Sequence, residues 1–280
     1  MIYLFLTLNG LLMILSPLPV VWLLRRYRKP GWGLWGMGAA TFVLSQVGHI
    51  PFNNFFMQQW NPDPETDFVL VVIFLGLSSG VFEEVSRYLT YRFWAKEGRS
   101  WGQGLMLGAG HGGMEAIILG VLFLLNFGFF VTYRAGMWHD ALADVPSETV
   151  AQITAAADSL FSLPWYDAIL GGLERCFALC LHLSASLMVL RVFTHRQPLW
   201  LAAAIFWHAF TNSVAVYLAQ QFNPYITEGF LAIVALASLA FILAVRTPEP
   251  TPPPLEPLPP LAPIQPVAVA VDRLDESRYL

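Results

Sequence analysis

Charge is scarce in this chain. Only 12% of its 280 residues are Asp, Glu, Lys or Arg, about half the share of a typical soluble domain. Lysine occurs twice, at Lys29 and Lys96. Both flank apolar runs, so no lysine is placed for a buried Schiff base, and a retinal-type receptor is disfavoured. Cysteine also occurs twice, as Cys176 and Cys180 within one apolar segment. Two thiols one helical turn apart build no disulfide framework and read as small packing residues. The net charge is -4 and no basic block exists, which excludes nucleic acid as a partner class. No internal repeat is visible, so the matched halves of many transporters are missing. The N-terminus lacks a basic segment before its first apolar run and a small-residue cleavage site after it. That run therefore reads as a retained helix, not a removed leader.

What the chain has is apolar length. It is 56% hydrophobic with a mean hydropathy of +0.56. Runs long enough to cross a bilayer, about 20 residues each, predict an all-α, polytopic transmembrane bundle in contact with lipid. About seven spans are expected, at roughly 2–24, 32–57, 67–94, 101–130, 165–192, 198–219 and 227–246. The second contains His49, Pro51, Asn53 and Asn54, which predict a kink or a re-entrant turn at its end. Basic residues gather in alternate turns: Arg25, Arg26, Arg28 and Lys29; Arg92, Lys96 and Arg99; Arg191 and Arg196; Arg246. The opposite turns hold only Arg134. Because basic residues mark the cytoplasmic side, the N-terminus is placed outside and the C-terminus inside. The outer loop 131–164 holds an Ala-rich stretch, Val150 to Phe161, that suits an interfacial helix. Residues 1–246 form the helical domain, and the Pro-dense segment 247–280 reads as an extended, unfolded cytoplasmic tail.

Ionisable and amide side chains lie inside four of these runs: Glu83 and Glu84, His111, His182, and His208 with Asn212. Each charge in hydrocarbon costs on the order of 3 kcal/mol or more, so a chain carrying several is using them. Their depths agree. Glu84 precedes Lys96, His111 follows Ser100, His182 precedes Arg191 and His208 follows Arg196 by 9 to 12 residues, about 14–18 Å at helical rise. Four helices can therefore bring these groups together near mid-membrane. Arg87 is spaced to pair with Glu83 or Glu84, keeping one ionised and leaving the other to act as a base. Glu115 is spaced to orient His111. His208 and Asn212 share a helix face and can address one substrate oxygen. Glycines at 76, 80, 108, 110, 112 and 113 either let helices pack closely or leave room for a peptide or water. Glu174 and Arg175 read as a structural pair or channel lining, and His49, His139 and His195 as incidental.

The stretch Phe82-Glu-Glu-Val-Ser-Arg87 resembles the first motif of the glutamic-type intramembrane proteases, which include the CAAX prenyl proteases, the bacterial Abi proteins and the PrsW-like proteins. Gly108-Ala-Gly-His-Gly-Gly-Met-Glu115, Glu174-Arg175, His182 and Trp207-His-Ala-Phe-Thr-Asn212 are most similar to the YhfC branch. The resemblance covers residues 67–219, the expected catalytic core. It implies an intramembrane endopeptidase of the bacterial plasma membrane, acting on a membrane-associated peptide or protein. Glu83 would be the general base, His111 would hold the water, and His208 and Asn212 would stabilise the oxyanion, with Glu84 beside them. Arg87, Glu115 and His182 would support. Two residues, not three, separate the Glu pair from Arg87, and the approach to His111 is glycine-rich; both argue against prenylated substrates. Metal-free water activation is favoured; the alternative is zinc held by Glu83, His111 and His208. The competing functions are a proton-coupled transporter or channel, and a non-catalytic membrane scaffold.

Overall fold

A computed structural model describes residues 1–248. All regular structure among the described residues is helical: α1 (Ile2–Leu15), α2 (Pro17–Tyr27), α3 (Trp32–Trp60), α4 (Phe68–Phe93), α5 (Trp101–Arg134), α6 (Ser147–Ser162), a 3-10 turn (Asp167–Ile169), α7 (Leu170–Thr194), α8 (Leu199–Gln221) and α9 (Pro224–Ala244). The expected Pro-dense tail lies outside the described residues from position 249 onward.

Among the described residues, six segments are long and apolar enough to cross a membrane: α1 with α2, α4, α5, α7 with its preceding 3-10 turn, α8 and α9. They match six of the seven expected spans, and the protein is a polytopic helical membrane protein. The seventh, α3, has 29 residues and is not among the six. Its polarity has a structural reason. Thr41, Ser45, His49 and Asn53 recur every fourth residue, which puts them on one face. That face meets α4, where Thr41 Oγ1 lies 2.6 Å from Thr90 Oγ1 and His49 Nε2 lies 3.1 Å from Ser78 Oγ. The kink or re-entrant turn expected here is replaced by a continuous helix. Pro51 removes one bond from the ladder without ending it. The break falls instead in the first span, at Ser16, where Pro17 takes the first position of α2 and leaves no N–H unpaired.

The basic turns meet at one end of the bundle. Arg28 and Arg246 both stack near the Trp101 ring, 4.9 and 5.9 Å from its centroid, and Trp101 Nε1 donates to Ile242 O at 2.9 Å. The other end holds α6, tied to α5 by Arg134 with Asp158 and by Tyr133 with Thr154.

Close helix approaches position the site. The Ser100 side chain accepts from Gln103 N, and the Gln103 side chain accepts from Ser100 N at 2.9 Å. This reciprocal cap fixes the start of α5 and hence the turn on which His111 sits. A Cβ at Gly80 would stand 2.7 Å from Ile205 O, so α4 and α8 touch backbone to backbone beside the Glu pair. A Cβ at Gly112 would stand 2.8 Å from the Cβ and ring of His182, so the imidazole occupies the space that the glycine leaves.

Candidate active site

Glu83, Glu84, Arg87, His111, His182 and His208 are all buried, with at most 5% of any residue exposed. Four helices contribute them, α4, α5, α7 and α8, and their side chains converge. Glu83 lies at the centre. Its Oε2 is 3.1 Å from His111 Nε2 and 3.7 Å from His208 Nε2. Its Oε1 is 3.2 Å from Gln46 Nε2 and 3.4 Å from Ser79 Oγ.

Glu84 plays a different part. Arg87 NH1 donates to both of its oxygens, at 2.6 and 2.5 Å, and His208 Nδ1 donates to Oε1 at 2.8 Å. Both side chains of the Glu84–Arg87 pair are fully enclosed. The pair thus fixes the His208 ring and leaves its Nε2 facing Glu83. His182 is held in the same way: its Nε2 lies 2.6 Å from Glu115 Oε2, and its Nδ1 lies 3.3 Å from Arg87 NH2. Glu115 in turn accepts from Arg175 NH1 at 2.7 Å, and Arg175 also pairs with Glu174.

These partnerships correct two expectations. Glu115 orients His182, not His111, because Gly112 draws the α7 imidazole against α5 one turn from Glu115. The candidate metal set also changes. Glu83, His182 and His208 each offer one ligand atom, all within 4.8 Å of one another. His182 thus replaces His111 in the set expected from the sequence. His111 stays beside Glu83, and its buried Nδ1 has no hydrogen-bond partner.

The donor chemistry of the set fits a divalent ion such as zinc, which takes imidazole nitrogen and carboxylate oxygen. The hydrogen bonding fits too. A ligating histidine normally gives its other ring nitrogen to a carboxylate. His208 gives Nδ1 to Glu84, which leaves its Nε2 lone pair for a metal; His182 gives Nε2 to Glu115, and its Nδ1 lone pair faces Arg87 NH2 at 3.3 Å, a contact that a metal would replace.

Asn212 reaches the site through Ser79: Asn212 Nδ2 donates to Ser79 Oγ at 2.9 Å, and Ser79 Oγ lies 3.4 Å from His208 Nε2. A cavity of about 60 Å³ opens beside these groups, with Glu115, Arg175, His182, His208 and Asn212 in its wall. Sequence reasoning missed Gln46, Ser79 and the place of His49, which lies one hydrogen bond from Gln46. The signal was present in the four-residue repeat of polar groups along α3. Among the described residues, His195 pairs locally, with Thr194. Cys176 and Cys180 are free thiols, as expected.

A family model described as YhfC intramembrane metalloprotease matches residues 12–232. The chain belongs to the YhfC family. It is 30% identical over 251 residues to a Bacillus subtilis (strain 168) protein named "Uncharacterized membrane protein YhfC", covering 86% of this chain and 95% of that one. No solved structure matches the chain. The match extends beyond the motif-bearing region 67–219 and includes α3, all of α2 and the end of α1. This YhfC-family chain is an integral membrane protein of a protease-like family.

Proposed function

We propose that this protein is an intramembrane metallopeptidase that hydrolyses a peptide bond of a membrane-associated protein or peptide, with residues 67–219 supplying its catalytic core. The observation that carries the reading is the buried Glu83–His182–His208 set, in which each imidazole is anchored by its own carboxylate. The family description points the same way and moves the balance from metal-free water activation to a metal.

Glu83, His182 and His208 would hold the ion. A divalent ion in such a setting polarises a carbonyl and makes water nucleophilic at neutral pH. The protein supplies the rest. His111, 3.1 Å from Glu83 and with Nδ1 unpartnered, accepts the proton of the attacking water and returns it to the leaving amine. Ser79, whose oxygen already accepts from Asn212, turns its hydroxyl proton to the developing oxyanion, and the second Asn212 proton assists. Glu84 with Arg87, and Glu115 with Arg175, keep the two imidazoles in place. The 60 Å³ cavity has room for about two waters.

The test uses the purified protein in liposomes with quenched-fluorescence transmembrane peptides. Cleavage should stop with a chelator, return with zinc, and be absent in Glu83→Gln and His208→Ala variants that still accumulate in the membrane. Cleavage that survives chelation and the Glu83→Gln change would overturn the proposal.

A further inference from the structure

Glu83 is fixed from a direction that the motifs do not include. On α3, His49 Nε2 lies 2.9 Å from Asn53 Nδ2 and 3.1 Å from Ser78 Oγ on α4. Gln46 turns its amide nitrogen to Glu83 and so its carbonyl to His49 Nδ1; that carbonyl can only accept, which puts the ring proton on Nδ1 and leaves Nε2 to accept from Asn53 or Ser78. His49 Nδ1 donates to Gln46 Oε1 at 3.2 Å. The Gln46 amide nitrogen donates to Glu83 Oε1 at 3.2 Å. Every donor in this file points toward Glu83. Residues 46, 49 and 53 are spaced for one helix face, and all three side chains are half-buried.

The direction has a chemical consequence. A file that delivers a donor to Oε1 holds the carboxylate in one orientation, as a hydrogen-bonding partner outside the ligand set does for a metal ligand. Occupying Oε1 also leaves Oε2 for the His111 and His208 side. We propose that Gln46 and His49 are positioning residues of the active site. In this role they orient Glu83 through a one-way hydrogen-bond file along α3 and raise the affinity of the Glu83–His182–His208 set for its metal. The inference rests on the metallopeptidase reading and extends the working site onto a helix outside residues 67–219.

The experiment measures zinc affinity by competition with a chromophoric chelator on the purified full-length protein in detergent micelles, together with unfolding of the metal-free protein and kcat and KM. Gln46→Leu and His49→Leu should bind zinc about 10–100-fold more weakly, the usual cost of losing such an outer partner. They should lower kcat more than KM and leave metal-free unfolding in place. His49→Asn keeps an N–H where Nδ1–H stood and should retain most of the affinity. Gln46→Met and His49→Met repeat the test if a Leu variant fails to accumulate. Zinc binding within about twofold of the parent in the Leu or Met variants, well short of that cost, would overturn the proposal. So would a His49→Asn variant as impaired as His49→Leu. Glu83→Gln, run in parallel, separates the two claims. If the parent binds no zinc, or Glu83→Gln binds as tightly, the metal reading itself fails. If Glu83→Gln loses zinc while the α3 variants match the parent, only this inference fails.

Discussion

Replacing Arg87 with leucine tests the architecture most severely. Arg87 is wholly enclosed, and its NH1 donates to both oxygens of an equally enclosed Glu84. Arg87→Leu leaves that carboxylate with one remaining partner, His208 Nδ1 at 2.8 Å, and no counter-charge in contact. Removing one member of a buried pair costs about 3–5 kcal/mol, while replacing both by apolar residues is often close to neutral. The double change Glu84→Leu/Arg87→Leu still strands His208 Nδ1, a loss of about 1–3 kcal/mol. The double variant should thus recover about 2 kcal/mol relative to the single one, yet remain inactive because His208 is no longer oriented. Denaturant titration in detergent micelles reads the stabilities, and peptide cleavage in liposomes reads the activity. A single variant destabilised by less than about 1 kcal/mol, or a double variant no more stable than the single one, would refute the reasoning.

Other consequences follow from the same geometry. Gly112→Ala puts a methyl 2.8 Å from the His182 ring, so His182 must move; zinc affinity and cleavage should both fall while α5 gains helix propensity, which metal competition and thermal unfolding check together. Glu115→Gln keeps the shape but removes the charge beside His182 Nε2. It should weaken zinc binding about 10–100-fold and shift the histidine NMR signals of His182 more than those of His111, the reverse of what the i,i+4 spacing to His111 implies.

Much of the molecule was legible in its sequence because lipid imposes simple rules. Apolar runs of fixed length marked the spans, and a rise of about 1.5 Å per residue turned residue counts into a shared depth for Glu84, His111, His182 and His208. Rotation about each helix axis is not fixed by counting. Glu115 could face His111 along its own helix or His182 across an interface, and the contact at Gly112 decided for His182. The metal set changed for the same reason. The polar residues of α3 were read as a break because Pro51 and the asparagines suggested one. Their repeat at 41, 45, 49 and 53 was the stronger signal, because it describes a buried face. The Ser16 break was visible in Ser16-Pro17-Leu18-Pro19 but was masked by the apolar residues around it.

The most direct test of the central claim is X-ray absorption at the zinc edge of the loaded protein, compared with His182→Gln and His111→Gln variants. Two imidazoles and a carboxylate should surround the metal, falling to one imidazole in His182→Gln and staying at two in His111→Gln. A first shell that survives His182→Gln but loses an imidazole in His111→Gln would contradict the account.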